Sequence, residues 1–205
     1  MFCDPGGFVS GIEFSRHRFH PVIDLPRYYE IFDFTRGYDP MRTLTRPFGV
    51  GKYDEKRSGM YTSALFGNAR DIHVGIDIAA PIGTPVHAFF DGTIFLQGYN
   101  GAEGDYGYTI ITRHEIDGVE LFALHGHLQK RSIEQRHEGD SFKAGDVLGF
   151  VGDRHENGGW QPHVHFQLSY ERPTKPDLPG VVSEADRERA LQVFPDPRLV
   201  LGPLY

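Results

Sequence analysis

At 205 residues, 39% of them hydrophobic and 24% charged, the chain is long enough to bury one sizeable core. Its 25 glycines and 14 prolines follow no repeating period, which favours many short strands joined by turns over a helix bundle. A formal charge of -7 with a sequence pI near 5.8 sets the global field against nucleic acid and anionic surfaces, and the single cysteine, Cys3, excludes an internal disulfide and a Cys-rich zinc module.

The opening stretch from Met1 to Ser10 has neither a basic start nor the apolar run of a secretory signal, and charges follow at Glu13, Arg16 and Arg18, so a cytoplasmic location is expected. No run of about 18 apolar residues reads as a membrane span. Residues 1–47 form an aromatic, proline-broken N-terminal arm expected to pack on the core, with Tyr28, Tyr29, Phe32 and Phe34 in a short helix capped by Asp24. Beyond Ile72 the pattern changes to candidate strands at 84–89, 92–97, 108–114, 119–128, 146–151 and 163–169. They are divided by turn signals at Asp91-Gly92, Asn100-Gly101, Asp117-Gly118 and Gly158-Gly159, which predicts an antiparallel sheet within a core of residues 48–170. The C-terminal extension, 171–205, carries a helix over about 184–194, capped by Ser183, acidic in its first turn and ended by Pro195.

The chemistry gathers on histidine. In Trp160-Gln-Pro-His-Val-His-Phe-Gln-Leu168, alternation along a strand sets His163 and His165 on one face and Val164 and Phe166 on the other. Two imidazoles so placed can flank one metal ion, or one can bind it while the other stands beside it; alone, the pair reads equally as partly exposed strand histidines. His73-Val-Gly-Ile-Asp77 adds a histidine and a carboxylate that reach a common point only if the chain curves, which Gly75 permits; alone, Asp77 reads as a cap of turn amides. A third group, Leu121-Phe-Ala-Leu-His-Gly-His-Leu128, places His125 and His127 on a shared strand face. His17, His20, His87, His114, His137 and His155 read as surface or structural residues. The His-Glu pairs at His114 and His155 meet Gly118 and Gly159 where a helical zincin motif needs its second histidine, so that motif is absent.

In this order, His73-x-x-x-Asp77, Gly126-His127-Leu128 and His163-x-His165 resemble the LytM and lysostaphin type of zinc endopeptidase, the M23 peptidases that cut cell-wall peptides. Pro81-x-Gly-Thr-Pro-Val86, Asp91-Gly-Thr-Ile94, Gly107-Tyr-Thr-Ile110 and Ala144-Gly-Asp-Val-Leu-Gly149 resemble the family's scaffold turns, so the likeness covers residues 70–170. The resemblance implies a two-layer antiparallel β fold with a groove; with the two helices read above, the chain is expected to be mainly β with short N-terminal and C-terminal helical additions. The resemblance also implies Zn2+ held by His73, Asp77 and His165, with His127 and His163 acting on water and on the reacting carbonyl. Zinc lowers the pKa of its water toward about 7, and a neutral histidine can then take that proton. Asn157-Gly-Gly-Trp-x-Pro-His163, Leu178-Pro-Gly-Val181 and the tail from Phe194 to Gly202 are similar to an M23 branch found fused to class III aminotransferases and small-molecule kinases.

The expected activity is cleavage of peptide bonds, the substrate a peptide or muropeptide. A repurposed groove that binds without hydrolysis is the alternative, while a biotinyl or lipoyl carrier barrel is set aside for want of a lysine in a Met-Lys hairpin tip. His125 stands where the family often has Tyr. On the same strand face as His127 its ring is expected within reach of the groove, as a pH-dependent donor, an extra ligand or an inert wall residue. Asp71, by alternation from His73, is a candidate acceptor for a ligand histidine, although a solvated charge is the preferred reading.

Overall fold

The structure is a computed structural model that describes residues 11–39, 44–67 and 69–205. Cys3 and the stretch inspected for a signal lie outside the described residues. In chain order the elements are β1 (Glu30–Ile31), β2 (Gly49–Gly51), β3 (Glu55–Lys56), β4 (Ile72–His73), β5 (Ile76–Ala79), β6 (Pro85–His87), β7 (Gly92–Asn100), β8 (Gly107–Ile116) and β9 (Val119–Leu128). There follow α1 (Lys130–Gln135), β10 (Ser141–Phe142), β11 (Val147–Phe150), β12 (His163–Ser169), β13 (Val181–Val182), α2 (Arg187–Val193) and α3 (Arg198–Leu201).

An eight-stranded sheet in the order β1-β2-β5-β12-β9-β8-β7-β10 is the main layer; β6 and β11 form a second small sheet, and β13-β4-β3 a third. The pairing is antiparallel apart from β1 on β2. β8 and β9 are joined by Asp117-Gly118 with φ of 53° and 78°, the two left-handed residues a tight hairpin requires, so the Asp-Gly signal sets their register.

Alternation builds two cores. Val164, Phe166 and Leu168 of β12 join Ile76 and Ile78 of β5, and the β6–β11 layer and the arm cover them with Val86, Leu148, Val22 and Ile23. Phe166 is fully buried, which contributes on the order of 2–3 kcal/mol. On the opposite face Ile111, Phe122 and Leu124 pack beneath Leu178, Val182, Val193 and Phe194 of the C-terminal extension.

Two expectations change. Residues 24–34 hold no helix; they run to β1, whose Phe32 N–H donates to Val50 O at 2.8 Å, and the only helical turn of the described arm is Phe14–Arg16. Asp24 and the aromatics after it carry turn and cap signals, but the vacant edge of β2 satisfies the backbone instead. At the other end α2 begins later than expected: Ser183 Oγ accepts the Asp186 N–H at 3.3 Å in a turn ahead of the helix.

Candidate active site

β12 carries His163 and His165 on the face opposite Val164 and Phe166, and its neighbours bring partners to them, with His165 paired across to Asp77 of β5 and to Gly126 of β9. His73 comes from β4 in a different sheet, so the chain bends between His73 and Asp77 as the spacing demanded. Gly75 earns its place through close approach: a Cβ there would stand 2.4 Å from His165 Cε1, so the ring lies directly over the glycine.

Three donor atoms converge. His73 Nε2 is 3.0 Å from His165 Nδ1 and 3.2 Å from Asp77 Oδ1, and the latter two atoms are 3.0 Å apart. The far side of each ligand is tied. His73 Nδ1–H donates to Lys52 O at 2.9 Å, His165 Nε2–H donates to Gln167 Oε1 at 3.0 Å, and Asp77 Oδ2 accepts from Arg57 Nη1 at 2.6 Å. A carbonyl oxygen only accepts, so these partners fix both tautomers and leave three lone pairs facing one another. Such a cluster needs a cation. Tetrahedral zinc with bonds of 2.0–2.1 Å separates its donors by about 3.3 Å, close to this spacing, and two imidazoles with one carboxylate suit it.

Electrostatics supports the ligand state. Burial, helped by the Arg57 guanidinium, pushes His73 down to about 4, so its imidazole is neutral at pH 7. Burial pushes Asp77 up, but the Arg57 guanidinium beside it outweighs this and holds the carboxyl well below its usual range. Arg57, with 0% exposure, also donates to Glu55 Oε2 at 3.0 Å, Tyr61 OH at 3.0 Å and Lys52 O at 3.2 Å.

His127 and His163 stand beside the triad with rings 4.2 Å apart. His127 Nδ1–H donates to Asn157 O at 2.8 Å and His163 Nδ1–H to Gln161 O at 2.7 Å, which leaves Nε2 of each as the free base. His163 Nε2 is 3.7 Å from Asp77 Oδ1. Burial lowers both pKa values, for His127 with help from His163 and His165. All five residues line one cleft of about 250 Å³, walled by Tyr106, Trp160 and the stretch 178–181.

His125 is a correction. It lies with 0% exposure against Phe166, ring centroids 5.2 Å apart, on the opposite side of the sheet from His127. Pairing steps from Tyr108↔Leu128 to Ile110↔His125, so β9 holds one extra residue there, and His127 takes a left-handed φ of 63°. This bulge reverses alternation: His125 continues the core face of Leu121 and Ala123, while His127 lines the cleft and Gly126 lies against the Tyr106 ring that walls it. Neither His125 ring nitrogen has a hydrogen-bond partner, the nearby backbone of Ile110 and Ala123 offering only poor geometry, and burial pushes the imidazole down to about 3.

Asp71 stands apart from His73, with Oδ2 3.5 Å from Ser58 Oγ, and the acceptors of the ligand histidines are a main-chain carbonyl and an amide instead of carboxylates. Sequence reasoning missed Arg57, Tyr106 and Gln167. Gln167 was readable as the next residue on the His163–His165 face; Arg57 had only its i, i+2 spacing from Glu55 as a signal.

A profile of peptidase family M23 matches residues 71–176. The chain is 41% identical over 96 residues to the DD-carboxypeptidase/endopeptidase Mpg of Neisseria meningitidis serogroup B, a match covering 47% of this chain and 20% of that protein. It is 31% identical over 115 residues to the peptidoglycan DD-endopeptidase ShyC of Vibrio cholerae, covering 54% of this chain and 24% of that one. The match thus spans a fifth to a quarter of these relatives' length. Among solved structures, the catalytic domain of lysostaphin from Staphylococcus simulans is similar at 25% identity and a TM-score of 0.46, over 68% of this chain and 88% of that one.

Proposed function

Since the chain belongs to peptidase family M23, whose profile spans residues 71–176 of its 205, we propose that it is a zinc-dependent hydrolase cleaving peptide bonds. The observation that carries this reading is the set of three lone pairs on His73 Nε2, Asp77 Oδ1 and His165 Nδ1, each locked by a partner on its far side, with two neutral histidines beside them. Zinc held there supplies Lewis acidity, which acidifies water and polarises a carbonyl. Nε2 of His127 or of His163 takes the proton of the attacking water, and the same nitrogen then returns it to the leaving amine. The backbone carbonyls of Asn157 and Gln161 hold the two rings in the tautomer this requires and stabilise them when charged.

The relatives' printed names bring peptidoglycan stem peptides forward as the first substrate class to try. Within the family, the motifs at Asn157–His163 and Leu178–Val181 support our assignment to the branch fused to class III aminotransferases. The zinc-loaded protein is to be incubated with muropeptides and short peptides and the products read by mass spectrometry, with metal content measured in parallel. About one zinc per chain, lost in His73→Ala and in His165→Ala, is expected together with amide cleavage. Full zinc occupancy in both variants would overturn the ligand set, and binding without cleavage across the panel would overturn the hydrolase in favour of a groove that only binds.

A further inference from the structure

The cleft does not end at the histidines. Met60, Asp77, Trp160 and His163 line both the main lobe and a second one of about 90 Å³, so the two meet at the proposed reacting centre. Their chemistry differs. The main lobe adds Arg70, Asp105, Lys175 and Asp177 to an apolar lining that includes Phe66 and Tyr106, whereas the second is walled by Phe32, Phe34, Tyr38, Leu44 and Pro162, with Asp39 and Gln161 as its further polar side chains.

The aromatic wall is built, not incidental. Phe32 and Phe34 have ring centroids 5.6 Å apart, Phe34 and Tyr38 6.2 Å, and the Arg57 guanidinium lies 4.9 Å from the Phe34 centroid. The backbone holds the rings as well: Phe32 N–H donates to Val50 O at 2.8 Å and Phe34 N–H to Glu55 Oε1 at 3.1 Å. The arm therefore supplies a preformed apolar recess whose inner end is a catalytic histidine.

We infer that this recess receives a bulky apolar side chain of the substrate, on the residue next to the bond that is cut. The inference rests on the hydrolase reading above and adds the substrate class. An extended peptide advances about 3.3–3.6 Å per residue, so a side chain in a pocket that His163 itself lines belongs to a residue adjoining the reacting carbonyl. Glycine there would leave the aromatic walls uncovered. Leucine or phenylalanine would cover them, a difference worth on the order of 10–100-fold in kcat/KM.

The test uses the zinc-loaded protein and alanine hexapeptides with one residue X, where X is Gly, Asp, Leu or Phe on either side of the central bond. Two readouts run together: hydrolysis, and the fluorescence of Trp160, the one tryptophan of the chain, which lines both lobes and reports occupancy of the cleft without chemistry, a change lost on substitution of Leu44 or Tyr38 locating it in the recess. Expected are preferred cleavage of the Leu or Phe peptide by about tenfold or more, and a saturable Trp160 change with the same peptides and not with Gly. Leu44→Asp and, as a second variant, Tyr38→Ala should bring the Leu-to-Gly ratio toward one, with zinc content and thermal unfolding as controls of folding. Cleavage without preference among the four residues overturns the inference and leaves the hydrolase standing. Saturable binding of the Leu and Phe peptides with no hydrolysis of any peptide overturns the hydrolase reading and, with it, the placing of that side chain beside a cut bond. Neither hydrolysis nor a fluorescence change overturns both.

Discussion

Two histidines, two residues apart on one strand, live in opposite worlds. His127 faces the cleft, with Nδ1 tied to Asn157 and a neighbouring ring 4.2 Å away; His125 faces the apolar core with neither nitrogen bonded. The contrast extends to the layers around them. On the cleft side Arg57, His73, Asp77, His163, His165 and Gln167 each have a named partner, while the core side tolerates an imidazole as if it were a hydrocarbon ring. What separates working polar groups from spare ones here is the fixed hydrogen-bond partner, and neither residue type nor spacing reveals it.

The comparison breaks most severely at Arg57. Arg57→Met strands the buried carboxylates of Glu55 and Asp77, and a loss of about 3–5 kcal/mol in urea unfolding is expected. A loss below about 1 kcal/mol would show that the guanidinium holds nothing in place. Next come the two histidines themselves. His127→Ala and His163→Ala should lower turnover by about 10²-fold or more with zinc content intact, whereas His125→Leu should leave turnover alone. Equal losses at His125 and His127 in an assay of peptide cleavage would erase the distinction between the faces.

The bulge offers a smaller lever. A Cβ at Gly126 would stand 2.6 Å from Tyr106 Cδ1, so Gly126→Val should cost about 1–3 kcal/mol and move His127 off its base position, seen as lost activity with unchanged zinc. Normal turnover in that variant would mean that the bulge does not aim His127. The mildest effect concerns pH. Burial holds His114 down at about 4 and His125 down at about 3, against about 6.5 for an unfolded chain, so both must gain a proton to unfold in acid. Their contribution is complete above pH about 6.5 and is lost as the pH falls to 4 and then 3. His125→Leu should flatten that limb of a stability–pH curve and, by removing two unpaired nitrogens, raise stability at pH 7 by about 1 kcal/mol. An unchanged acid limb would assign the sensitivity to His114 or to the cleft.

Much of the site could be read from the chain because its signals are local. His163-x-His165 follows from strand alternation, and the Asp117-Gly118 turn fixes β8 against β9 within a few residues. The bulge at Gly126-His127 was not legible, since an extra residue in a strand is defined only by the partner it fails to match. The same holds for β1, which is two residues long and exists because β2 has a free edge, and for Arg57, whose acceptors lie up to 20 positions away. Local patterning misread the arm as helix because it weighs caps and aromatics and has no access to a distant strand edge.

The sheet order has a bearing on how the protein comes into being. β12, residues 163–169, sits between β5 and β9, so the middle of the sheet is the last of its strands to be synthesised. Until it arrives, β5 and the β7–β8–β9 meander emerge from the ribosome with facing edges unpaired, open to a neighbouring nascent chain. Insertion of a late strand between two early ones closes contacts 88 residues apart, such as that of His165 with Asp77, and this makes refolding slow for a domain of this size. The strand that carries half of the proposed chemistry is thus also the keystone of assembly, and a chain cut short before residue 163 lacks both together.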